Sequence, residues 1–160
     1  MTKEIILTRG KVAIVDDDDF EELSRHKWRY KYGYAVRNAP TSTNKYHLIL
    51  MHREIINTPD GMQTDHVNGD MLDNRRNNLR VCTHAENMRN AKKHKNNTSG
   101  YKGVAWHRTA KKWRAFIWSG KHRHLGLFER IEDAATAYNI AAYIYHGEFA
   151  RYNVPLGIHP

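Results

Sequence analysis

The sequence predicts an α+β protein built as two small domains. Short runs of β-branched and aromatic residues crowd its first half: Ile5 to Leu7, Val12 to Val15 and Tyr46 to Met51. Three more strand-like runs, Val104 to His107, Trp113 to Trp118 and His124 to Phe128, stand together ahead of one Ala-rich helical stretch, Ile131 to His146. Between the two halves lies a polar segment without periodicity, Lys92 to Gly100. A chain of 160 residues has room for one ordinary domain or two small ones sharing little core. The expected division is a first domain over 1–91, a basic linker over 92–100 and a second domain over 101–160.

In chain order, Arg9-Gly10 separates the first two runs as a hairpin turn. Asp16 to Asp19 precede Phe20, Leu23 and Trp28, which recur near helical spacing; carboxylates there cap free N–H groups and oppose the helix dipole. Lys31 to Arg37, with aromatics around Gly33, reads as a strand, Pro40 to Asn44 as a turn, and Tyr46 to Met51 as a second strand. His52 to Ile56 has the apolar face of one or two helical turns, and Thr58-Pro59-Asp60-Gly61 is a turn signal. Ala85 to Lys93 reads as a helix. In the second half, the breaks at Lys111-Lys112 and Ser119-Gly120 set off three strands. Ala134, Ala135, Tyr138, Ala141, Ala142 and Tyr145 line one face of the last helix, and Gly147 is placed to end it. Small Ala side chains let such a helix lie close against a sheet.

The formal charge is +9, which points to a polyanionic partner. Its placement says more. No Asp or Glu occurs between Asn87 and Phe128, while the same segment carries eleven Lys and Arg, from Arg89 to Arg123, and four His. Ordinary surfaces mix signs, so this stretch reads as a nucleic-acid track. Arg89, Lys92, Lys93, Lys95 and Lys121 are its candidate phosphate contacts. One cysteine, Cys82, excludes an internal disulfide and a Cys-based zinc site, and it sits in an apolar run as a small core residue. No signal peptide is evident and no apolar run nears the roughly 18 residues of a membrane span, so the expectation is a soluble, cytoplasmic protein.

The chemistry concentrates in one stretch: Asp65-His66-Val67-Asn68-Gly69-Asp70, then Asn77-Asn78-Leu79-Arg80, then Glu86-Asn87. The Asp65 carboxylate and the Asn87 side-chain carbonyl are oxygen ligands of the kind Mg²⁺ prefers. His66 is the side chain best suited to a general base near neutral pH. A calcium loop fits poorly. An EF-hand places its Gly after the third ligand and Glu at its twelfth position, whereas here Gly69 precedes Asp70 and the twelfth residue is Arg76.

Met62 to Asn90 resembles the HNH nuclease motif, in the His-Asn-Asn variant common among phage and intron homing endonucleases. The resemblance implies a fold of two antiparallel strands and a helix around one divalent cation. It implies Asp65 and Asn87 as metal ligands, His66 as the general base, and Asn78 as a brace for the loop between the strands. The last position is Asn rather than His, so the site has one formally negative ligand. Such a site suits a weakly held Mg²⁺, and leaves open Mn²⁺ or another divalent cation. A structural Asp-His-Asn cluster in an inactive nuclease is the alternative.

Tyr101-Lys102-Gly103-Val104, Trp113, Leu125-Gly126-Leu127-Phe128, Glu132-Asp133-Ala134-Ala135 and Ala137-Tyr138, closing with Gly147, Phe149 and Asn153, resemble the plant ethylene-response-factor (APETALA-type) DNA-binding domain. Relatives of that domain occur in phage and bacterial homing nucleases. The resemblance implies a three-stranded sheet lying in the major groove, with Lys102, His107, Arg108, Arg114, Trp118 and Arg123 turned toward DNA. Ala105 and Phe116 stand where the plant domains carry polar contacts, and there is one extra residue before Trp113, so the sequence those domains read does not transfer.

The combined expectation is a ββα-metal HNH nuclease domain followed by a three-stranded antiparallel sheet packed on one helix. The expected activity is that of a site-specific endonuclease hydrolysing one strand of double-stranded DNA with a single divalent cation. No heptad pattern or leftover apolar face indicates a dimer, so a monomer is expected. The rival is a non-cleaving DNA-binding regulator that keeps the nuclease fold as a clamp. An RNA-binding module is the third class.

Overall fold

A computed structural model describes residues 1–40 and 46–153. The expected turn over Pro40 to Asn44 lies, past Pro40, outside the described residues, as does 154–160 of the expected second domain. The chain divides into two compact units, Met1–Asn87 and Met88–Pro160. The class is α+β.

In the first unit, β1 (Thr2–Ile6) pairs antiparallel with β2 (Val12–Asp16), as the two apolar runs require. Arg9 and Gly10, both at φ 63°, turn the chain between them. Alternation puts Ile5, Ala13 and Val15 inward, where α1 (Asp17–Ser24) adds Leu23. The Trp28 indole N–H donates to the Leu23 carbonyl at 2.8 Å, so a bulky aromatic enters the core with its polar atom satisfied. The acidic run departs in part from the capping expectation. Asp17, Asp18 and Asp19 do fill the first turn, but Asp16, at the N-cap, makes no capping bond with its side chain. Instead its carboxylate accepts the Arg76 backbone N–H at 2.7 Å, while Asp19 holds the Arg76 guanidinium at 2.6 Å. A partner some sixty positions away outcompetes the local N–H groups, which no short-range rule anticipates.

The single strand expected over Lys31 to Arg37 is two strands. β3 (Arg29–Lys31) and β4 (Tyr34–Pro40) fold back on each other, and β5 (Tyr46–Leu50) completes a sheet of order β3-β4-β5. Tyr32 and Gly33 take φ 54° and 93°, a two-residue hairpin turn. A Cβ at Gly33 would also sit 2.7 Å from the Met71 methyl carbon. α2 (Met51–Ile55) follows as expected and buries Met51, His52 and Ile55.

β6 (Gln63–His66) and β7 (Leu79–Cys82) form an antiparallel hairpin, and α3 (His84–Asn90) follows. The loop joining β6 to β7 is fastened to β2: Ile14 N–H donates to the Leu72 carbonyl at 2.8 Å, and Asn74 N–H to the Ile14 carbonyl at 2.7 Å. Thr83 and Glu86 build a reciprocal capping box at the start of α3. The helix ends at Asn90, three residues short of the expected Lys93. The Arg89 and Ala91 carbonyls, which a longer helix would use in its own turns, accept the Lys102 ammonium instead.

The second unit follows the expectation closely. β8 (Val104–His107), β9 (Lys112–Trp118) and β10 (His122–Phe128) make a sheet of order β10-β9-β8, with a bulge between His124 and Gly126. α4 (Ile131–His146) packs on one face of it. Ala134, Ala135, Tyr138, Ala141 and Ala142 are buried, as are Val104, Ala115 and Ile117 opposite. Gly147, at φ 54°, ends α4. The end of the expected linker is built into this unit: Asn97 accepts the Gly100 N–H and donates to the Tyr101 carbonyl, and Ser99 Oγ donates to the Val104 carbonyl. No helix among the described residues is long and apolar enough to cross a membrane.

Candidate active site

Asp65 and His66 are consecutive on β6, so their side chains leave opposite faces of the β6–β7 hairpin. Residues directly paired across the hairpin share a face. One face therefore carries Gln63, Asp65, Arg80 and Cys82; the other carries Thr64, His66, Leu79 and Val81.

On the first face Asp65 is buried and faces Arg80. Arg80 Nε and Nη2 both donate to the same carboxylate oxygen, Oδ2, at 2.9 and 2.7 Å. α3 lies against this face, since the Asn87 side-chain N–H₂ donates to Gln63 Oε1 at 2.7 Å and His84 Nδ1 meets Gln63 Nε2 at 3.1 Å. With its nitrogen committed to Gln63, the other end of the Asn87 amide is its carbonyl oxygen. Asn87 and Asp65 thus stand on the same side of β6, two positions apart as reached through Gln63. Among the described residues, no three or more His, Cys, Asp or Glu side chains gather as a metal-binding group. The donor set on this face is a carboxylate and amide carbonyls, hard oxygens that fit a divalent cation of the Mg²⁺ type and offer nothing soft except the buried thiol of Cys82. Burial pushes that thiol's pKa up, away from the thiolate a soft metal needs.

On the second face His66 is buried in an aromatic corner. Its ring meets that of His52, on α2, edge to face at 5.0 Å between centroids, and the Tyr34 ring lies 6.2 Å away. Its Nε2 lies 3.4 Å from the Asn74 side-chain oxygen, and Asn74 is itself fully buried. Burial lowers the pKa of His66, against the Asn74 contact and the Asp65, Asp70 and Asp73 carboxylates, which raise it. The net direction favours the neutral imidazole, the form that accepts a proton. His52 is driven further, to about 3, by burial, then by His66 and Arg53.

Asn78 ties the intervening loop together. Its Oδ1 accepts the Asn68 N–H at 3.0 Å and its Nδ2 donates to the Asp73 carbonyl at 2.7 Å, while its own carbonyl accepts the Val67 N–H. Asp73, held by Arg75 and by the Asn68 amide, has its pKa lowered first by the Arg75 bond.

A family model described as HNH endonuclease matches residues 57–89, the span of this hairpin, its loop and most of α3. Protein 3.8 of Escherichia phage T7 is 35% identical over 95 residues, covering 59% of this chain and 78% of that protein. The chain belongs to the HNH endonuclease family. Its HNH segment makes it an HNH-type nuclease, and DNA is the substrate class such a domain implies. No solved structure matches significantly.

Beside the HNH segment, the second unit carries the expected basic track, and its register sorts the candidates by face. Arg114 and Trp118 lie on the sheet face away from α4, with Lys112, Phe116, His122, His124 and Leu127. Trp118 and His122 rings meet at 5.3 Å, and Arg114 covers the Phe116 ring at 5.2 Å. His107 shares that face and accepts the Ala110 N–H; Arg108 and Lys121 stand exposed in the two turns at the sheet's ends. Lys92, Lys93 and Lys95 are exposed and Arg89 is half-buried. Two candidates go elsewhere. Arg123 pairs with the buried Ile117 and lies over the Tyr145 ring of α4, on the helix-covered side. The Lys102 ammonium donates to the carbonyls of Arg89 and Ala91 at 2.5 and 2.7 Å, and burial, with Arg151, lowers its pKa to about 8. Strand alternation separates Arg123 from Arg114, and the Arg89 and Ala91 carbonyls capture Lys102.

Sequence reading assigned no role in the site to Arg80, Asn74, Gln63, His122 and His124, and took His52 for a packing or surface residue, which its burial against His66 bears out. For His122 and His124 the signal was available: they alternate with Arg123 and so occupy the other face. For Arg80 it required the hairpin register, and for His52 and Asn74 the tertiary fold.

Proposed function

We propose that this protein is a site-specific DNA endonuclease of the homing type that hydrolyses a phosphodiester bond with one divalent cation and nicks one strand. The carrying observation is that adjacent residues of one strand are a buried carboxylate, Asp65, with Asn87 tied to the same face through Gln63, and a buried imidazole, His66, whose pKa burial lowers. HNH nucleases generally use a divalent metal ion. Asp65 and Asn87 would hold it, and Mg²⁺ is the cation their oxygens suit, with Mn²⁺ as substitute. When bound, it supplies positive charge beside the leaving 3′ oxygen.

His66 accepts a proton from the attacking water as that water's oxygen bonds to phosphorus and the bond to the 3′ oxygen breaks; the departing 3′ oxygen takes a proton from solvent, leaving a 5′ phosphate and a 3′ hydroxyl. Asn74 and His52 fix the plane of the His66 ring, and Asn78 fixes the loop that follows it. Arg114, Trp118 and the histidines of the outer sheet face read the duplex in the manner of an ethylene-response-factor domain. Arg89, Lys92, Lys93, Lys95, Arg108 and Lys121 contact phosphates. With one such constellation per chain, a monomer acts on one strand, in the cytoplasm of the host cell.

The test is supercoiled plasmid with Mg²⁺, with and without EDTA, followed by duplexes labelled differently on each strand. Relaxed circles that need Mg²⁺, and loss of one strand ahead of the other, are expected. Relaxation that survives EDTA would remove the cation. Simultaneous loss of both strands would remove the nick.

A further inference from the structure

The Asp65–Arg80 pair has a consequence for how the site loads. Asp65 and Arg80 face each other across the hairpin, both largely buried, with two guanidinium N–H groups on one carboxylate oxygen. Glu86, the other carboxylate near Cys82, is engaged in capping α3. Without a cation the Asp65 charge is therefore already matched by Arg80. A divalent cation arriving alone must compete with a guanidinium for the same carboxylate and must sit beside that positive charge in a poorly solvated place. A DNA phosphate reverses this balance, because a guanidinium binds phosphate as well as it binds carboxylate.

Building on the proposed cation role of Asp65 and Asn87, we infer that Arg80 is a positioning residue that makes cation binding depend on DNA. It holds Asp65 in the empty site and passes to a backbone phosphate when duplex and cation enter together. The site then carries little net charge when empty and accepts two positive charges only with phosphate present. Because such coupling is reciprocal, the cation must raise DNA affinity by the same factor that DNA raises cation affinity.

The experiment measures Mn²⁺ affinity of the full chain by electron paramagnetic resonance, with and without a mixed-sequence duplex. The chain carries His66→Ala so that the duplex stays intact. With Arg80 present, the duplex tightens Mn²⁺ by about tenfold or more. Arg80→Gln removes the charge at similar size. It tightens Mn²⁺ in the DNA-free protein about tenfold and shrinks the gain produced by the duplex. Arg80→Lys, which keeps the charge but not the two-pronged grip, falls between. A merely structural Arg80 would not improve cation binding when removed. Unchanged or weaker DNA-free binding in a folded Arg80→Gln protein overturns the inference. If that variant does not fold, equal Mn²⁺ affinity with and without duplex in the Arg80 protein overturns it alone. Absence of Mn²⁺ binding in both conditions would overturn the cation reading itself, together with this inference. Binding that ignores Arg80 would overturn only the inference.

Discussion

The two units handle polar chemistry in opposite ways. In the first, Asp65, His66, Asp73, Asn74 and Asn78 are all buried, and each is held by a hydrogen-bond partner within the hairpin and its loop. In the second, the outer sheet face leaves Arg114, Trp118, His122 and His124 exposed, with Trp118 against His122 and Arg114 over Phe116. Groups that must sit at a fixed place to move a proton or hold an ion are pre-organised by burial, and removing one leaves its partners unsatisfied. Groups that meet a large polyanion can stay solvated until it arrives. The first design ties activity to stability; the second separates them.

The sharpest break in that comparison is His66→Ala. Cleavage should fall by about 10²–10⁴-fold while DNA affinity stays within a few fold, because the base is in one unit and the basic face in the other. Single-turnover cleavage and a binding titration on the same preparation measure both. Wild-type turnover in this variant would remove the general-base assignment. The cost of unsealing the buried loop comes next. Asn78→Ala deletes both bonds that join its two ends and should lower unfolding free energy by about 2–3 kcal/mol in urea denaturation. A loss near zero would mean that the loop holds itself.

His52 gives the comparison a pH axis. In the unfolded chain it takes a proton near its ordinary 6.5, in the fold only near 3. Stability is therefore complete above 6.5 and declines as pH falls, by roughly 2 kcal/mol on reaching pH 5. Denaturant unfolding at pH 7.5 and 5 should show this loss, and His52→Phe should flatten it. An equal slope in both proteins would locate the proton elsewhere. Least costly to the fold is the sheet face. Arg114→Ala with Trp118→Ala should weaken duplex binding about tenfold and leave the melting temperature unmoved. A drop in melting temperature with unchanged affinity would turn that face into ordinary structure.

The legible part of this protein was local. Short β-branched and strand-like runs set off by turn residues placed β1, β2, β8, β9 and β10, and Ala spacing placed α4, whose observed bounds are those read from the sequence. Asp65, His66, Asn78 and Asn87 were nameable because residue type and separation restrict what chemistry they can support. Three things were not. The positive φ of Tyr32 put a turn inside an apparent strand, in a residue with no Gly-like signature. Arg123 and Lys102 were expected as DNA contacts from the resemblance to the ethylene-response-factor domain, which carries no information about the face or partner each takes in this chain.

By itself, then, the sequence determined the element types, the basic acid-free half and the residues capable of proton and cation chemistry, since each depends on neighbours within a few positions. Only the tertiary structure decided that Arg80 faces Asp65, that His52 and Asn74 close around His66, and that Asp16 serves Arg76 rather than its own helix. Those pairings join residues from eight to sixty positions apart. Which pairing wins is a competition among desolvated groups for partners, settled by the packing of the whole unit.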